Sequence, residues 1–285
     1  CFSLWMKDCQ TTTEGQVVAI DGKRLRGSFN QSNRRDAIHM VSAFACENKL
    51  VLAQTKTDKK SNEITAIPKL LDLLEIKGCL VTIDAMGCQK EIVKKVREKE
   101  ADYLIALKGN QGTLFSQVEA LLKPQIAELA AQEKLFSEAT YERKREEIRW
   151  SLSTQNIDNI AAAEEWLDLK TVGVIISYRQ ETGKKQSGLV YRYYISSADL
   201  DSETLANKVR EHRGIENGLH WKLDVGMNED QCRIRREGAP EIFGGIRHVA
   251  LNQLNEEKTF KKGVRAKQMK ASRSTDYLET VLFGK

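Results

Sequence analysis

The sequence lacks the features that mark membrane, secreted and disordered proteins. No apolar run approaches the roughly 20 residues that a membrane-spanning helix needs. The first residues, CFSLWMKDCQ, have neither the basic start nor the apolar core of a signal peptide. Only 3 of the 285 residues are Pro and 41% are hydrophobic, so the chain can bury a sizeable core. These absences predict a globular protein without a membrane partner, and we expect it in the cytoplasm.

The cysteines also lack the spacing that metal or redox sites require. None of the 6 Cys forms a Cys-x-x-Cys pair, and several lie in predicted strands. Buried free thiols in a reducing compartment are therefore the expected state, and a zinc site is a weak alternative.

A starting Met is absent, so we expect the chain to be a fragment of a longer protein. The net charge of +5 is too small to identify a partner. Two stretches nevertheless contain bases and no acid, namely residues 22–35 and 258–275. Such stretches are typical either of solvated surface or of contacts with the phosphates of a nucleic acid.

The order of the predicted elements indicates a mixed sheet with flanking helices. Five strands are predicted, at Val17–Ile20, Ala37–Cys46, Leu50–Thr57, Leu80–Ile83 and Asp102–Leu107. Helices follow the third, fourth and fifth strands, the first capped by Ser61 or Asn62, the second at Gln89–Glu100 and the third ending near Ala131. The order β-β-β-α-β-α-β belongs to the RNase-H-like α/β fold, in which the first and fourth strands are adjacent. A flavodoxin-like or Rossmann fold would need a helix between residues 22 and 57, where there is no room.

The second half of the chain is predicted to begin with a mainly β insertion and to end in helices. Alternating apolar residues predict strands at Glu147–Ser153, Thr171–Tyr178 and Leu189–Ser196, the last two flanking a hairpin-like turn at Gln180–Gly188. Helices are predicted at Ser202–Val225 and from Pro240 to about Glu257.

Two aspartates follow predicted buried strands. Asp21 follows Val17–Ile20, and Asp84 follows Leu80–Ile83. On the mixed sheet we expect both carboxylates at neighbouring strand ends, where they would repel each other unless they share cations such as Mg²⁺ or Mn²⁺. The alternative is that each Asp only terminates a strand, because Asp is common in turns.

A polar stripe in the predicted helix Ser202–Val225 offers further ligands. His212, Glu216, His220 and Asp224 are four residues apart and so share one helical face. The alternative is a solvent-exposed ladder of side chains. A zinc site is weaker still, because the stripe lacks the His-Glu-x-x-His spacing.

Several segments resemble the DDE transposases of bacterial insertion sequences, and most closely the H-repeat-associated proteins of Rhs elements. The resemblance spans essentially the whole chain, in order. The matching segments are VAIDGK at 18–23, TIDAMGCQ at 82–89, KGNQ at 108–111, IEN at 215–217, LHW at 219–221, LDV at 223–225 and NED at 228–230.

The resemblance implies a function and a set of site residues. It implies a transposase that hydrolyses DNA and transfers strands, with Asp21, Asp84 and Glu216 holding two Mg²⁺ ions, replaceable by Mn²⁺. The expected partners are double-stranded DNA, as element ends and target, and other copies of the chain, in the nucleoid of a bacterial cytoplasm. Candidate DNA-binding residues are Lys23, Arg24, Arg26, Lys108, Asn110, Gln111, His212, His220 and Lys222.

With this resemblance, the chain divides into five predicted segments. They are a remnant of a missing N-terminal domain at 1–16, the first part of the core at 17–134, a β-rich insertion at 135–198, the rest of the core with the catalytic helix at 199–258, and a basic C-terminal tail at 259–285.

The chain departs from the wider superfamily around Glu216. The superfamily places Tyr, Arg and Lys there, whereas this chain has Val209, His212 and Leu223, with Lys222 one residue short. Two alternatives to an active transposase therefore stay open, a DNA-binding relic without catalysis and a nuclease or resolvase that cuts without joining. A module that binds no nucleic acid is the weakest alternative.

Overall fold

The computed structural model describes residues 15–28, 37–57, 63–142, 145–181, 183 and 188–284. These residues belong to two compact units, of which the first combines Cys1–Ile76 with His212–Lys285 and the second is Lys77–Glu211. Within the described ranges, no helix has the length and apolar character that crossing a membrane requires. Several predictions fall outside these ranges: the N-terminal remnant up to residue 14, Arg34 and Arg35, the caps Ser61 and Asn62, and most of the turn at Gln180–Gly188.

Nine strands and seven α-helices make up the described chain. The strands are β1 Val17–Arg24, β2 His39–Ala45, β3 Leu50–Lys56, β4 Leu80–Ile83, β5 Asp102–Leu107, β6 Phe136–Glu142, β7 Arg145–Thr154, β8 Thr171–Glu181 and β9 Val190–Ser196. The helices are α1 Glu63–Asp72, α2 Lys90–Glu98, α3 Gly112–Ala131, α4 Ser202–His212, α5 Ala239–Glu256, α6 Val264–Ala271 and α7 Thr275–Phe283. Through β5 the order matches the predicted β-β-β-α-β-α-β, and the mixed α/β fold class is confirmed.

The first unit contains an antiparallel sheet in the order β3-β2-β1. Its core joins Ala19, Phe44 and Val51 of the strands to buried leucines of the C-terminal half, which are Leu219, Leu223 and Leu251. Strand β1 is longer than predicted, because β2 continues the ladder beyond Ile20 and pairs Asp21 with Ser42. Asp21 therefore lies inside the strand rather than after it, which corrects the sequence prediction.

One side chain of α5 covers the outer edge of this sheet. The Asn252 side chain accepts a hydrogen bond from the Val51 backbone N–H and donates one to the Val51 carbonyl, each 2.9 Å long. Both groups are buried, so their pairing avoids the cost of an unsatisfied backbone. Asn252 thus bonds to β3 as a neighbouring strand would.

The long helix predicted at Ser202–Val225 is not a continuous α-helix. Helix α4 ends at His212, and π-helical turns follow at Glu216–His220 and Lys222–Gly226. These turns pack closely on the sheet, since a Cβ added to Gly218 would lie 2.8 Å from Cζ of Phe44. π-Turns are rare and often occur at functional sites.

The second unit contains a mixed sheet in the order β4-β5-β9-β8-β7-β6. Strands β4 and β5 are parallel, whereas β9 pairs antiparallel with β5 through Leu104↔Ser196. The predicted β insertion therefore extends the sheet that contains β4 and β5. Strand β6 was not predicted, because its sequence FSEATYE is mostly polar, and it forms by pairing with β7.

The basic segment after residue 258 is folded in the first unit. Helices α6 and α7 pack on α5 through a small core of Leu254, Tyr277 and Val281. Lys267 is buried, and its ammonium donates to the Leu254 carbonyl at 2.7 Å and pairs with the Glu257 carboxylate at 3.1 Å. One of the seven bases in this stretch therefore has a structural role.

Candidate active site

Asp21 is held by a backbone group and faces a histidine of the π-helical segment. One carboxylate oxygen accepts a 2.9 Å hydrogen bond from the Gly22 N–H. The other lies 3.5 Å from Nδ1 of His220, and both side chains are largely buried. The first unit thus brings together two of the predicted site residues, one from β1 and one from the polar stripe.

His220 is electrically neutral at pH 7. Burial, together with the nearby Lys23 ammonium, lowers the pKa of His220 to about 4. Its Nε2 atom is buried and has no hydrogen-bond partner among the residues that the structure describes. A neutral His220 adds no positive charge beside the Asp21 carboxylate.

Lys23, two residues further along β1, contacts the same helical face. Because side chains alternate along a strand, Asp21 and Lys23 point the same way. The Lys23 ammonium pairs with Asp224 and, at 2.7 Å, with Glu229. Only 13% of the Lys23 side chain and 3% of the Glu229 side chain are exposed. Lys23 was predicted to bind DNA, and the structure shows it in an internal ion-pair cluster.

The other predicted residues of the helical segment have different surroundings. Glu216 begins the π-turn and is exposed to solvent. His212 ends α4 and is partly buried. Lys222 donates a 2.9 Å hydrogen bond to Asn255 of α5, and burial, with three nearby lysines, lowers its pKa. Of the stripe, His220 and Asp224 therefore face β1, whereas Glu216 is available to a ligand from solvent.

Asp84 lies in the second unit, directly after β4, as predicted. One of its oxygens accepts hydrogen bonds from the N–H groups of Met86 at 2.9 Å and Gly87 at 3.4 Å, which caps the short 3₁₀ turn Ala85–Gly87. This is the local bonding that Asp favours at the start of a helical turn. The backbone therefore fixes the carboxylate and leaves its second oxygen outside the cap.

Two residues of the predicted DNA-binding loop hold this turn in place. The Asn110 amide donates to the Ala85 carbonyl at 2.9 Å, and the Gln111 amide donates to the Cys88 carbonyl at 2.8 Å. Lys108 precedes them and is exposed. The second unit thus brings Asn110 and Gln111 to the turn that carries Asp84, while Lys108 remains accessible to phosphate.

The remaining predicted bases, Arg24 and Arg26, lie at the end of β1 and just after it. Both are exposed, Arg26 to 80% of its side chain. Arg26 lies 3.6 Å from the Asp230 carboxylate. Both guanidinium groups can therefore reach a ligand from solvent, and the contact with DNA stays a prediction.

The carboxylates of this chain suit a divalent cation by their donor chemistry. Asp21 and Asp84 supply hard oxygen donors of the kind that Mg²⁺ prefers, and a backbone N–H orients each one. Asp21 and Glu216 belong to the first unit and Asp84 to the second. Among the described residues, no three His, Cys, Asp or Glu side chains form a metal-binding cluster.

Sequence reasoning assigned no role to Glu229 and Asp230. Both belong to the NED segment that carried the family resemblance. Glu229 pairs with Lys23 near the end of β1, and Asp230 pairs with Arg26 just after β1. Lys23 and Glu229 are 206 positions apart in the sequence, and Arg26 and Asp230 are similarly distant. Only the resemblance of the segment indicated that it matters.

Comparisons with known proteins agree on one family. The family model described as "Transposase DDE domain" matches residues 12–253. "Putative protein YbfL" of Escherichia coli K12 is 48% identical over 100% of this chain and 76% of its own length. "H repeat-associated putative transposase YhhI" of the same strain is 47% identical over the same shares.

A solved structure also aligns with the chain. It is a cryo-EM structure of the piggyBac transposase synaptic complex with hairpin DNA, at a TM-score of 0.47 and 11% identity. The alignment covers 98% of this chain and 54% of the other, so this chain spans about half the length of that transposase chain.

Proposed function

Since the chain belongs to the transposase DDE-domain family, we propose that it is the catalytic part of a DNA transposase. Its substrate would be double-stranded DNA, cut at a phosphodiester bond and then joined to a second site. The observation that carries this proposal is the family match over residues 12–253, which includes Asp21, Asp84 and Glu216.

The reaction has two phosphoryl-transfer steps. Water first attacks phosphorus and the 3′-oxygen leaves, which produces a free 3′-hydroxyl. That hydroxyl then attacks a phosphodiester of the target and displaces another 3′-oxygen. We propose that Asp21, Asp84 and Glu216 bind Mg²⁺ or Mn²⁺, and a divalent ion held in this way supplies charge stabilisation and an acidified water.

The neighbouring residues would prepare these acids for the reaction. The neutral His220 packs on Asp21 without cancelling its charge. Asn110 and Gln111 fix the turn that presents Asp84. Exposed bases, among them Lys108, Arg24 and Arg26, would hold the DNA backbone, since phosphate contacts position a duplex without reading its sequence.

A plasmid assay tests the proposal. Purified chain, supercoiled DNA and either Mg²⁺ or Mn²⁺ should yield nicked circles, and a labelled oligonucleotide with a free 3′-hydroxyl should become joined to the plasmid. Nicking without joining would show a nuclease or resolvase instead. An absence of nicking with both metals, under conditions where the chain binds DNA, would show a relic.

One observation favours the relic as the second candidate. The superfamily places Lys where this chain has Leu223, and the Leu223 side chain is only 1% exposed. A buried leucine cannot contact phosphate. The nicking assay is therefore the half of the experiment that separates a relic from an active transposase, because a relic would bind DNA without cutting it.

A further inference from the structure

An exposed arginine cluster lies beside the candidate site in the first unit. The segment between the π-turns and α5 contains three arginines in four positions, Arg233, Arg235 and Arg236, and all three are exposed. We call residues 233–236 the arginine loop. The nearest acid in sequence is Glu237, which is exposed as well. Neither predicted basic stretch includes this loop.

The loop is packed against the segment that follows β1. Nε of Arg235 donates a 3.1 Å hydrogen bond to the Gly27 carbonyl. A Cβ added to Gly27 would lie 2.1 Å from the Cys232 carbonyl oxygen and 2.8 Å from that of Asp230, so the two backbones approach as closely as glycine allows. The ion pair of Arg26 with Asp230 joins the same two segments. This packing distinguishes the loop from a charged segment that is merely solvated.

The loop is also connected to Asp21 through neighbouring residues. Asp21 and Lys23 lie on one face of β1, and Lys23 pairs with Glu229, four residues before the loop. Arg26 extends the positive surface from the loop towards the end of β1 and is 80% exposed. A polyanion bound to these arginines would therefore reach the surroundings of Asp21.

The chemistry of arginine indicates what this surface binds. The guanidinium group presents a planar fork of donors that matches the oxygens of phosphate, and it keeps its charge at every physiological pH. We propose that the arginine loop and Arg26 bind consecutive backbone phosphates of duplex DNA next to Asp21. This inference rests on the proposed function, which makes duplex DNA the substrate.

The test compares two charge-matched triple variants. R233A/R235A/R236A removes three charges from the loop. K94A/K123A/K134A removes three from exposed positions of the second unit, so both variants fall from +5 to +2 (5 − 3). Affinity for a labelled duplex is measured at several salt concentrations without divalent metal, so that no cleavage occurs.

The affinity of the loop variant for duplex DNA should depend less on salt concentration than that of the wild type. Because each neutralised phosphate contributes about 0.9 to the log–log slope, three arginines should flatten the slope by roughly two to three. Affinity at low salt should fall by at least about tenfold, as expected for the loss of phosphate contacts. The lysine variant should keep the wild-type slope. Equal losses in both variants would overturn the proposal.

Two further variants guard against a folding artefact, since Arg235 also anchors the loop. R233A/R236A keeps that anchor and should flatten the slope by about two. R233K/R235K/R236K keeps the charges and should restore most of the slope. Thermal melting confirms that each variant is folded. A folded double variant with the wild-type slope would contradict the proposal.

The outcomes separate this inference from the proposed function. A chain that binds duplex through the loop yet never nicks DNA would retain the inference and fail as a transposase. If the wild-type chain nicks DNA but the loop variants bind duplex like wild type, the proposed function stands and this inference fails. Polyglutamate serves as a competitor: if it displaces the duplex at equal charge concentration, the loop binds acidic proteins and the inference is wrong.

Discussion

A backbone N–H orients each aspartate of the candidate site, but the surroundings of the two aspartates are organised by different kinds of contact. Asp84 is fixed by N–H groups two and three residues away, and its turn is anchored by the neutral amides of Asn110 and Gln111. The surroundings of Asp21 depend instead on charges. Lys23 pairs with Asp224, 201 residues later, and with Glu229, 206 residues later.

This difference separates local from long-range organisation. The Asp84 turn needs only residues of the second unit, and the hydrogen bonds that the neutral amides of Asn110 and Gln111 donate to it respond little to salt. The Asp21 region is complete only when the C-terminal part of the first unit has folded onto β1. The two regions should therefore respond differently to substitution and to acid.

The largest effect is expected from removing charge at either aspartate. Asp84→Asn and Asp21→Asn should each abolish metal-dependent nicking, because an amide is a poor ligand for Mg²⁺. In the Asp84→Asn variant the amide oxygen would still accept the hydrogen bonds of the turn, so the melting temperature should be unchanged. Nicked plasmid is quantified on gels with Mg²⁺ and with Mn²⁺. Asp158→Asn, at an exposed position, is the control, and nicking by the Asp84→Asn variant would exclude Asp84 as a ligand.

The second largest effect concerns the stability that the Lys23 ion pairs give to the surroundings of Asp21. Lys23→Met should destabilise the protein by about 3 kcal/mol, because it leaves the buried Glu229 without its cation. Urea unfolding measures this change, with Lys94→Met as the exposed control. Adding Glu229→Gln to the Lys23→Met variant should recover part of the loss. If Lys23→Met resembled Lys94→Met, the ion-pair cluster would have no structural importance.

Acid should destabilise the first unit by protonating the Glu257 carboxylate. Burial raises the pKa of this carboxyl, but hydrogen bonds from Thr259, Tyr277, the Phe260 N–H and Lys267 outweigh it and lower the pKa to about 2. Because the folded pKa is below the usual 4.5, the stabilisation is present above pH 4.5 and is lost as the pH falls towards 2.

The measurement for Glu257 is the unfolding free energy between pH 6 and pH 2. Glu257→Gln should be less stable than wild type at pH 6, and the difference should shrink on acidification. Glu133→Gln, at an exposed position, should leave the profile unchanged. A constant difference between Glu257→Gln and wild type across this range would show that Glu257 does not contribute through its charge.

The smallest effect concerns the cap that the Asp84 side chain gives to its turn. Asp84→Ala removes the cap that Asp84→Asn keeps, so it should cost about 1 kcal/mol of stability in addition to the loss of nicking. Differential scanning calorimetry of the two variants measures this difference. Equal melting temperatures would mean that the amide bonds of Asn110 and Gln111 hold the turn without the cap.

The sequence analysis was most accurate where contacts between residues close in sequence determine the structure. Asp84 follows β4 as expected, because three apolar residues and a Thr, followed by an Asp and a Gly, define the strand and its turn locally. Strand β5 and the end of α3 at Ala131 also match the prediction, and the apolar run YLIAL at 103–107 defines β5 locally. The catalytic role of Asp84 stays a prediction.

The sequence analysis was less accurate where contacts between residues far apart in sequence determine the structure. Asp21 was expected after β1, and the ladder to β2 places it inside the strand. The spacing of the polar stripe assumed a regular α-helix, whereas the π-turns direct His220 and Asp224 towards β1 and leave Glu216 exposed. The pairing of Lys23 with Glu229 could not be predicted, because no local pattern relates residues so far apart.

The contact between Asn252 and Val51 has a consequence for the order of events during synthesis. The two residues are 201 positions apart, so a ribosome adding about 5–20 residues per second makes Asn252 roughly 10–40 s after Val51. For that time the outer edge of β3 has unpaired N–H and carbonyl groups, which can pair with strands of other nascent chains. Proteins truncated before α5 would keep this edge open permanently, and we expect them to aggregate rather than to persist as folded fragments.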